Sequence, residues 1–266
     1  MSRSNVYARS RRTARPLAAL VLPIIVLAGI YAWAASGSDP AGANAVQAGP
    51  EEPLRRCVSP ETLAWSPDGR WLAVADRTGR SLLLIDTKQR KTAGRIPLAA
   101  RPADVVWADD GRTIYVSECG AGTVAEIDLA GKAIQRRLSV CPRPRGLALT
   151  AGGKLIVANA GRGGVSIVDL ASGKVRVVSG PRRPAFVAVH QDESLAVIGD
   201  MALTEPADDP ATSAAVWLVK PGGEAGAVRL PPNSINVRGI AISPEGRWAY
   251  VAHSLGRSTL PTTHLD

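Results

Sequence analysis

Arginine recurs in the links that precede a series of short apolar segments, and acidic or amide side chains recur where the following segments end. A guanidinium can bind a carboxylate or a phosphate through two parallel hydrogen bonds, so these residues are suited to an anionic or mixed-charge ligand. The interpretation that we favour is that the acids and the amide cap hairpin ends, while the arginines are solvated or pair with them. The candidate residues are Arg101, Arg143, Arg145, Arg183 and Arg238 in the links, and Asp76, Glu118, Asn159, Asp200 and His253 after the second segments.

The other chemistry-bearing residues match no catalytic or metal-binding motif. The three histidines, His190, His253 and His264, lack a metal-ligand spacing, and His253 is the one best placed to meet a metal or a haem. The sequence contains no Cys-x-x-Cys-His for covalent haem, no Gly-rich phosphate loop and no Gly-x-Ser-x-Gly nucleophile motif. We therefore predict no catalytic residue, no metal site and no cofactor.

A five-residue turn theme sets the spacing of these residues. It reads Ser-Pro-Asp-Gly-Arg at Ser66 to Arg70, and its copies place Gly69, Gly111, Gly153, Glu193 and Gly246 at equivalent positions. The separations are 42, 42, 40 and 53 residues. A period near 40 with only short apolar runs between turns predicts four-stranded β-propeller blades rather than paired helices.

Each repeat predicts four strands of decreasing hydrophobicity. A Pro link and an apolar first strand come before the turn, a second strand follows it, and a third strand and a more polar fourth strand end the unit. The links and the loops after the second strands then share one rim of the propeller, which we call the link rim. The predicted blades are 57–99, 100–141, 142–180, 181–233 and a partial blade at 234–266.

The fold class predicted is thus all-β, with about four and a half propeller blades in an open arc. Such an arc exposes an apolar flank on its first blade and unpaired edges on its last. We expect either that the natural product continues through further blades or that another chain completes the ring. Residues 44–266 expressed alone are expected to be poorly soluble or oligomeric.

The N-terminal region predicts export. Five arginines, at positions 3, 9, 11, 12 and 15, come directly before Leu17 to Ala35, an uncharged run of 19 residues. This arrangement indicates a cytoplasmic basic segment at 1–16, one hydrophobic helix at 17–35 that is a membrane anchor or a cleaved signal peptide, and a flexible linker at 36–56. Without the five arginines the net charge of +9 falls to +4, and we predict no nucleic-acid partner.

The three cysteines belong to the link rim. Cys57 and Cys141 lie three residues before Pro60 and Pro144, and Cys119 follows the second strand of the second blade. In an exported protein this arrangement predicts a disulfide between Cys119 and Cys141, with Cys57 left over. The alternative is three unpaired residues.

Two stretches of the repeat carry a resemblance to a known family. Tyr115-Val116-Ser117-Glu118, followed by Gly122 to Asp128, and Ile156-Val157-Ala158-Asn159, followed by Gly164 to Asp169, are similar to the YVTN family of β-propeller repeats. The resemblance covers residues 58 to about 256 and implies the propeller fold. Its members occur in surface-layer proteins, periplasmic binding proteins and redox-enzyme modules. The segment 252–263 is similar to part of longer exported propeller proteins, some of them joined to c-type cytochrome domains.

The sequence therefore favours an exported, periplasmic or membrane-tethered binding or scaffold module. Its expected partners are the membrane, through residues 17–35 if they are retained, and a protein or a small molecule, with a cytochrome among the candidates. Two enzyme alternatives stay open: a propeller module of a cytochrome-associated redox enzyme, and a propeller hydrolase or lactonase. The hydrolase needs a cluster of acids, histidines or metal ligands at the channel mouth.

Overall fold

Short apolar runs separated by tight turns fold into consecutive antiparallel sheets. The computed structural model describes residues 59–190, 195–204, 212–220 and 223–256. The predicted basic segment at 1–16, hydrophobic helix at 17–35, linker at 36–56 and Cys57 lie outside these residues. Across the described ranges, no helix has the length and apolar character needed to cross a membrane.

Four sheets have four strands each, in sequence order, and a fifth sheet has two described strands. This confirms the all-β class and gives a β-propeller-like series of blades. The strands are β1 Pro60–Trp65, β2 Trp71–Asp76, β3 Ser81–Asp86 and β4 Lys91–Pro97; β5 Pro102–Trp107, β6 Thr113–Glu118, β7 Thr123–Asp128 and β8 Ala133–Ser139; β9 Pro144–Leu149, β10 Lys154–Asn159, β11 Val165–Asp169 and β12 Val175–Val178; β13 Pro184–Val189, β14 Ala196–Leu203, β15 Ala214–Val219 and β16 Ala225–Arg229; and β17 Ser234–Ile242 and β18 Ala249–Leu255.

In the first, second, third and fifth blades, whose turns the structure describes in full, the predicted turn joins the first and second strands. Gly69 has φ 67°, and Gly111, Gly153 and Gly246 have φ of 63°, 73° and 69°. A side chain other than glycine is disfavoured in this left-handed region, which explains the recurring glycine. In the first turn, the Asp68 carboxylate accepts hydrogen bonds from the Ser66 hydroxyl (2.6 Å) and the Arg70 N–H (3.0 Å).

The hydrophobic core lies between successive blades. The first strands pack in series, β1 on β5, β5 on β9, β9 on β13 and β13 on β17. One buried cluster combines Ala73 and Leu82 of the first blade with Val105, Trp107 and Ile114 of the second. The outer strands β12 and β16 are mostly exposed. Each blade is therefore stabilised by its neighbours, and the link rim is held by several blades at once.

Candidate functional site

A cavity of about 680 Å³ opens on the link rim of the first three blades. It lies between the loop after β2, the link into β5, the loop after β6 and the link into β9. Its volume is within the range of small-molecule sites. The lining residues are Glu61, Arg77, Arg80, Ala99, Ala100, Arg101, Pro102, Ala103, Cys119, Gly120, Ala121, Arg143 and Arg145.

The cavity is strongly basic, because five arginines face a single glutamate. Glu61 is shared by two of them: it lies 3.0 Å from Arg77 Nη1 and 3.6 Å from Arg145 Nη2. Three arginines are left, and within the described part of the chain no carboxylate lies within ion-pair distance of them. These are Arg80, Arg101 and Arg143, which we call the unpaired arginines.

Backbone hydrogen bonds fix the chain at each unpaired arginine. The carbonyl of Arg80 accepts a hydrogen bond from the Leu98 N–H (2.9 Å), and that of Arg101 accepts one from the Cys119 N–H (2.9 Å). The carbonyl of Arg143 accepts from the Ala160 N–H at 3.0 Å. Arg80 and Arg143 have positive φ, 47° and 55°. The main chain is thus ordered while the exposed guanidinium groups keep their donors available.

The predicted acid Glu118 lies beneath the cavity and does not face it. Its side chain is fully buried. Oε1 accepts a hydrogen bond from the Ala99 N–H (2.7 Å), and Oε2 accepts one from the Thr123 hydroxyl (2.7 Å) and pairs with Arg137 Nε at 3.0 Å. Glu118 therefore ties the link before β5 to the β6–β7 hairpin.

Asp76 and Asp200 have the same role in their own blades. Both are buried. Asp76 Oδ1 accepts hydrogen bonds from the N–H groups of Ser59 (3.1 Å) and Gly79 (3.0 Å). The two carboxylate oxygens of Asp200 accept from the N–H groups of Arg182 and Arg183, each at 2.8 Å. These contacts agree with the capping interpretation of the sequence.

Asn159 and His253 also lie away from the cavity. Asn159 is fully buried, and its side-chain amide donates to the Ser166 hydroxyl at 2.9 Å. Its Oδ1 has no partner in the structure. His253 is half-buried, with Nδ1 3.3 Å from the Ser254 carbonyl oxygen. Among the residues the structure describes, His, Cys, Asp and Glu nowhere form a group of three or more that could hold a metal ion.

The predicted ring of arginines is divided between different blades. Arg101, Arg143 and Arg145 line the cavity. Arg183 lies in the fourth blade, where its carbonyl accepts a hydrogen bond from the Met201 N–H (3.0 Å). Arg238 is an exposed residue of β17. Neither of these two belongs to the lining. The structure thus brings three of the five predicted arginines to one site.

The predicted disulfide between Cys119 and Cys141 is not present in this structure, where both cysteines are free and partly buried. The turn at Cys119 packs against the link of its own blade, because its N–H bonds to Arg101. The link that carries Cys141 bonds on both sides: the Val140 N–H donates to the Gly122 carbonyl of the loop after β6 (2.9 Å), and the Gly161 N–H of the third blade donates to the Pro142 carbonyl (3.2 Å). Cys119 lines the cavity as a thiol.

Three charged lining residues were missed in the sequence: Glu61, Arg77 and Arg80. Arg77 directly follows the Asp76 cap and Arg80 directly precedes β3, so the available signal was two arginines in one short rim loop. The sequence does not show which charges lie across the boundary between blades. The pairing of Arg145 with Glu61 crosses from the third blade to the first.

A fourth missed residue is Asp104, the one acid inside the apolar strand β5. Its Oδ2 accepts a hydrogen bond from the Leu147 N–H (2.8 Å) of the third blade, and Oδ1 accepts from the Val105 N–H at 2.9 Å. Burial raises the pKa of this carboxyl to about 6, although both hydrogen bonds act to lower it. Asp104 therefore links two blades at a site where ionisation is costly.

Comparisons with known proteins show the fold but no family. No protein-family model matches the chain, and no curated protein does. A solved structure of hydrazine synthase from Kuenenia stuttgartiensis is similar, with a TM-score of 0.68 and 21% sequence identity. The match covers 76% of this chain and 58% of that chain, so the present chain spans less than two thirds of its length. In total 1242 solved chains match, so the fold is common and does not select a function.

Proposed function

We propose that this protein is a β-propeller binding module whose cavity on the link rim holds an anionic ligand. The observation that carries the proposal is the set of unpaired arginines, Arg80, Arg101 and Arg143, around one cavity of about 680 Å³. Arginine presents a planar fork of donors that matches carboxylate and phosphate groups. Because the two other arginines share Glu61, the cavity keeps an excess of positive charge.

The size and charge expected of the ligand follow from where the three unpaired arginines lie in the cavity. The unpaired arginines come from three separate segments, and small residues, Ala99, Ala100 and Gly120, lie between them. A compact group with several anionic oxygens can contact more than one arginine there. The guanidinium groups are exposed, so binding is expected to weaken as salt is added.

The proposal includes export, which rests on the sequence. The basic residues cluster before the apolar run 17–35, and such a bias keeps that end in the cytoplasm. The cavity would then face the periplasm or the cell exterior. Alkaline phosphatase fused after residue 60 should be active, whereas an inactive fusion together with a fluorescent cytoplasmic fusion at the same site would reverse this topology.

A second candidate function is a propeller module of a redox enzyme that works with a cytochrome. It is supported by the fold similarity to a chain of hydrazine synthase. A visible absorption spectrum of the complex purified from its native source separates the two candidates. Haem bands that co-purify in stoichiometric amount support the redox module, and their absence supports the binding module.

Calorimetric titration of the purified chain with inorganic phosphate and with citrate tests the anion site. We expect saturable binding at one site, and a loss of affinity of about tenfold or more when Arg101 and Arg143 are both replaced by alanine, since a charge-assisted hydrogen bond is worth about 1.5–3 kcal/mol.

The matched control is Arg238→Ala. Arg238 is an exposed arginine of the fifth blade outside the cavity, so this variant should bind like the original protein. Equal loss of affinity in all variants would mean that the anion responds to overall charge and not to the cavity, which contradicts the proposal.

A further inference from the structure

Among the described residues, the large apolar side chains that are more than 50% exposed lie on the first and the fifth blade. Leu63 and Trp65 on β1 are 56% and 57% exposed, and Trp248 and Tyr250 in the fifth blade are 57% and 63% exposed. Apolar patches of this kind on a soluble domain mark binding surfaces. We call the surface of Leu63 and Trp65 the first-blade face, and the surface of Ala241, Trp248 and Tyr250 the fifth-blade face.

The repeat shows what covers the first-blade face in the next blade. Trp107 lies one 42-residue repeat after Trp65, at the end of the equivalent strand β5. It is only 8% exposed, and its indole N–H donates to the carbonyl of Ala64, in the blade before it, at 3.0 Å. Val105, which is equivalent to Leu63, is 3% exposed. The first-blade face is therefore built to pack against a preceding blade.

The repeat also shows what covers the fifth-blade face. Tyr250 is equivalent to Ala73: Ala73 pairs across the sheet with Ala64, and Tyr250 pairs with Ala241. Ala73 is fully buried in the cluster that contains Trp107 of the following blade. The fifth-blade face is therefore built to pack against a following blade.

A shared surface contact supports this equivalence. The Arg70 guanidinium lies 5.0 Å from the ring of Trp71, and that of Arg247 lies 5.6 Å from the ring of Trp248. Trp71 is half-buried against the first interblade cluster, whereas Trp248 is mostly exposed. The local structure is the same in both blades, and the covering blade accounts for the difference in burial.

We propose that the first-blade face of one copy of this protein binds the fifth-blade face of a second copy, head to tail. The contact continues the interblade packing already present within the chain, and the Trp65 indole N–H of one copy donates to the Ala241 carbonyl of the other. Every copy carries both complementary faces. Because the two faces differ, the contact is heterologous and forms either a ring of copies or an open series. This inference does not depend on the anion site.

Sedimentation velocity of the full 266-residue chain in mild detergent tests the proposal. The original protein should associate more as its concentration rises. Trp65→Lys, which blocks the first-blade face, and Tyr250→Lys, which blocks the fifth-blade face, should each be monomeric. Both residues are exposed, so the core of the single chain is left intact.

Mixing the two variants is the decisive experiment. Trp65→Lys keeps an intact fifth-blade face and Tyr250→Lys keeps an intact first-blade face, so an equal mixture should form a one-to-one complex that cannot extend. Val177→Lys, at an apolar position of β12 that is 50% exposed, is the control and should associate like the original protein. A protein that is monomeric at every concentration, or variants that associate unchanged, would show that another partner or surface is involved and overturn the proposal.

Discussion

The acids and the arginines of the link rim occupy neighbouring positions in the same repeats, but they differ in burial and in hydrogen bonding. Glu118 is fully buried and its oxygens are used by a backbone N–H, a hydroxyl and an arginine. Arg101, whose carbonyl bonds the residue after Glu118, has an exposed side chain with no carboxylate partner in the described structure. The acids hold the rim together, and the arginines are left to bind something else.

The largest effect we expect comes from Glu118→Ala. Removing this carboxylate leaves the Ala99 N–H and the Thr123 hydroxyl without their partner and breaks the pair with Arg137, so unfolding free energy should fall by about 3 kcal/mol or more. Urea unfolding followed by circular dichroism measures it.

Glu126→Ala is the matched control. Glu126 also pairs with an arginine, Arg136, at 2.9 Å, but this pair is partly exposed, with 44% of the arginine side chain and 17% of the glutamate side chain accessible, and its loss should cost less than about 1 kcal/mol. Similar losses in the two variants would remove the distinction between the buried acids and the surface charges.

Asp104 differs from the other buried acids of the comparison. Its hydrogen bonds offset only part of the free-energy cost of burying its carboxylate. Its folded pKa of about 6 lies above the ordinary value of 3.8, so the folded state holds the proton more tightly than the unfolded state. Ionisation therefore destabilises the fold as pH rises from about 4 to 6, and the full effect is present above pH 6.

Lowering the pH from 7 to 5 should stabilise the original protein relative to Asp104→Asn by about 1 kcal/mol. Urea unfolding of both proteins at the two pH values checks this. A difference that does not change with pH, or one that grows as pH rises, would contradict the raised pKa.

The smallest effect on stability is expected at the unpaired arginines. Replacing both Arg101 and Arg143 by alanine removes exposed side chains without ion-pair partners in the described structure, so unfolding free energy should change by no more than about 0.5 kcal/mol. Thermal melts and urea titrations in the absence of multivalent anions measure it. A loss comparable to that of Glu118→Ala would mean that these arginines serve the fold, and the division between acids and arginines would fail.

The repeat and its turns could be predicted from the sequence, because their causes are local. The glycines at 69, 111, 153 and 246 are needed for a positive φ, and the apolar first strand follows from burial between blades. The site could be predicted only in part. Arg101, Arg143 and Arg145 were found from their place in the links, whereas the pair between Arg145 and Glu61 depends on how the third blade lies against the first.

Cys119 and Cys141 are close in sequence and on the same rim, and backbone hydrogen bonds join the link of Cys141 to both neighbouring loops, at Gly122 and at Gly161, yet both cysteines are free in the structure. The resemblance to YVTN repeats and the export of the chain stay predictions.

The most direct test of the anion site is a crystal structure of the protein soaked in selenate at a concentration above the phosphate dissociation constant from calorimetry. Selenium scatters anomalously, so the anion can be located without interpretation of weak density. We predict an anomalous peak in the cavity, within hydrogen-bond distance of at least one guanidinium among Arg80, Arg101 and Arg143. An empty cavity at that concentration, or a peak only at arginines outside it, would contradict the account.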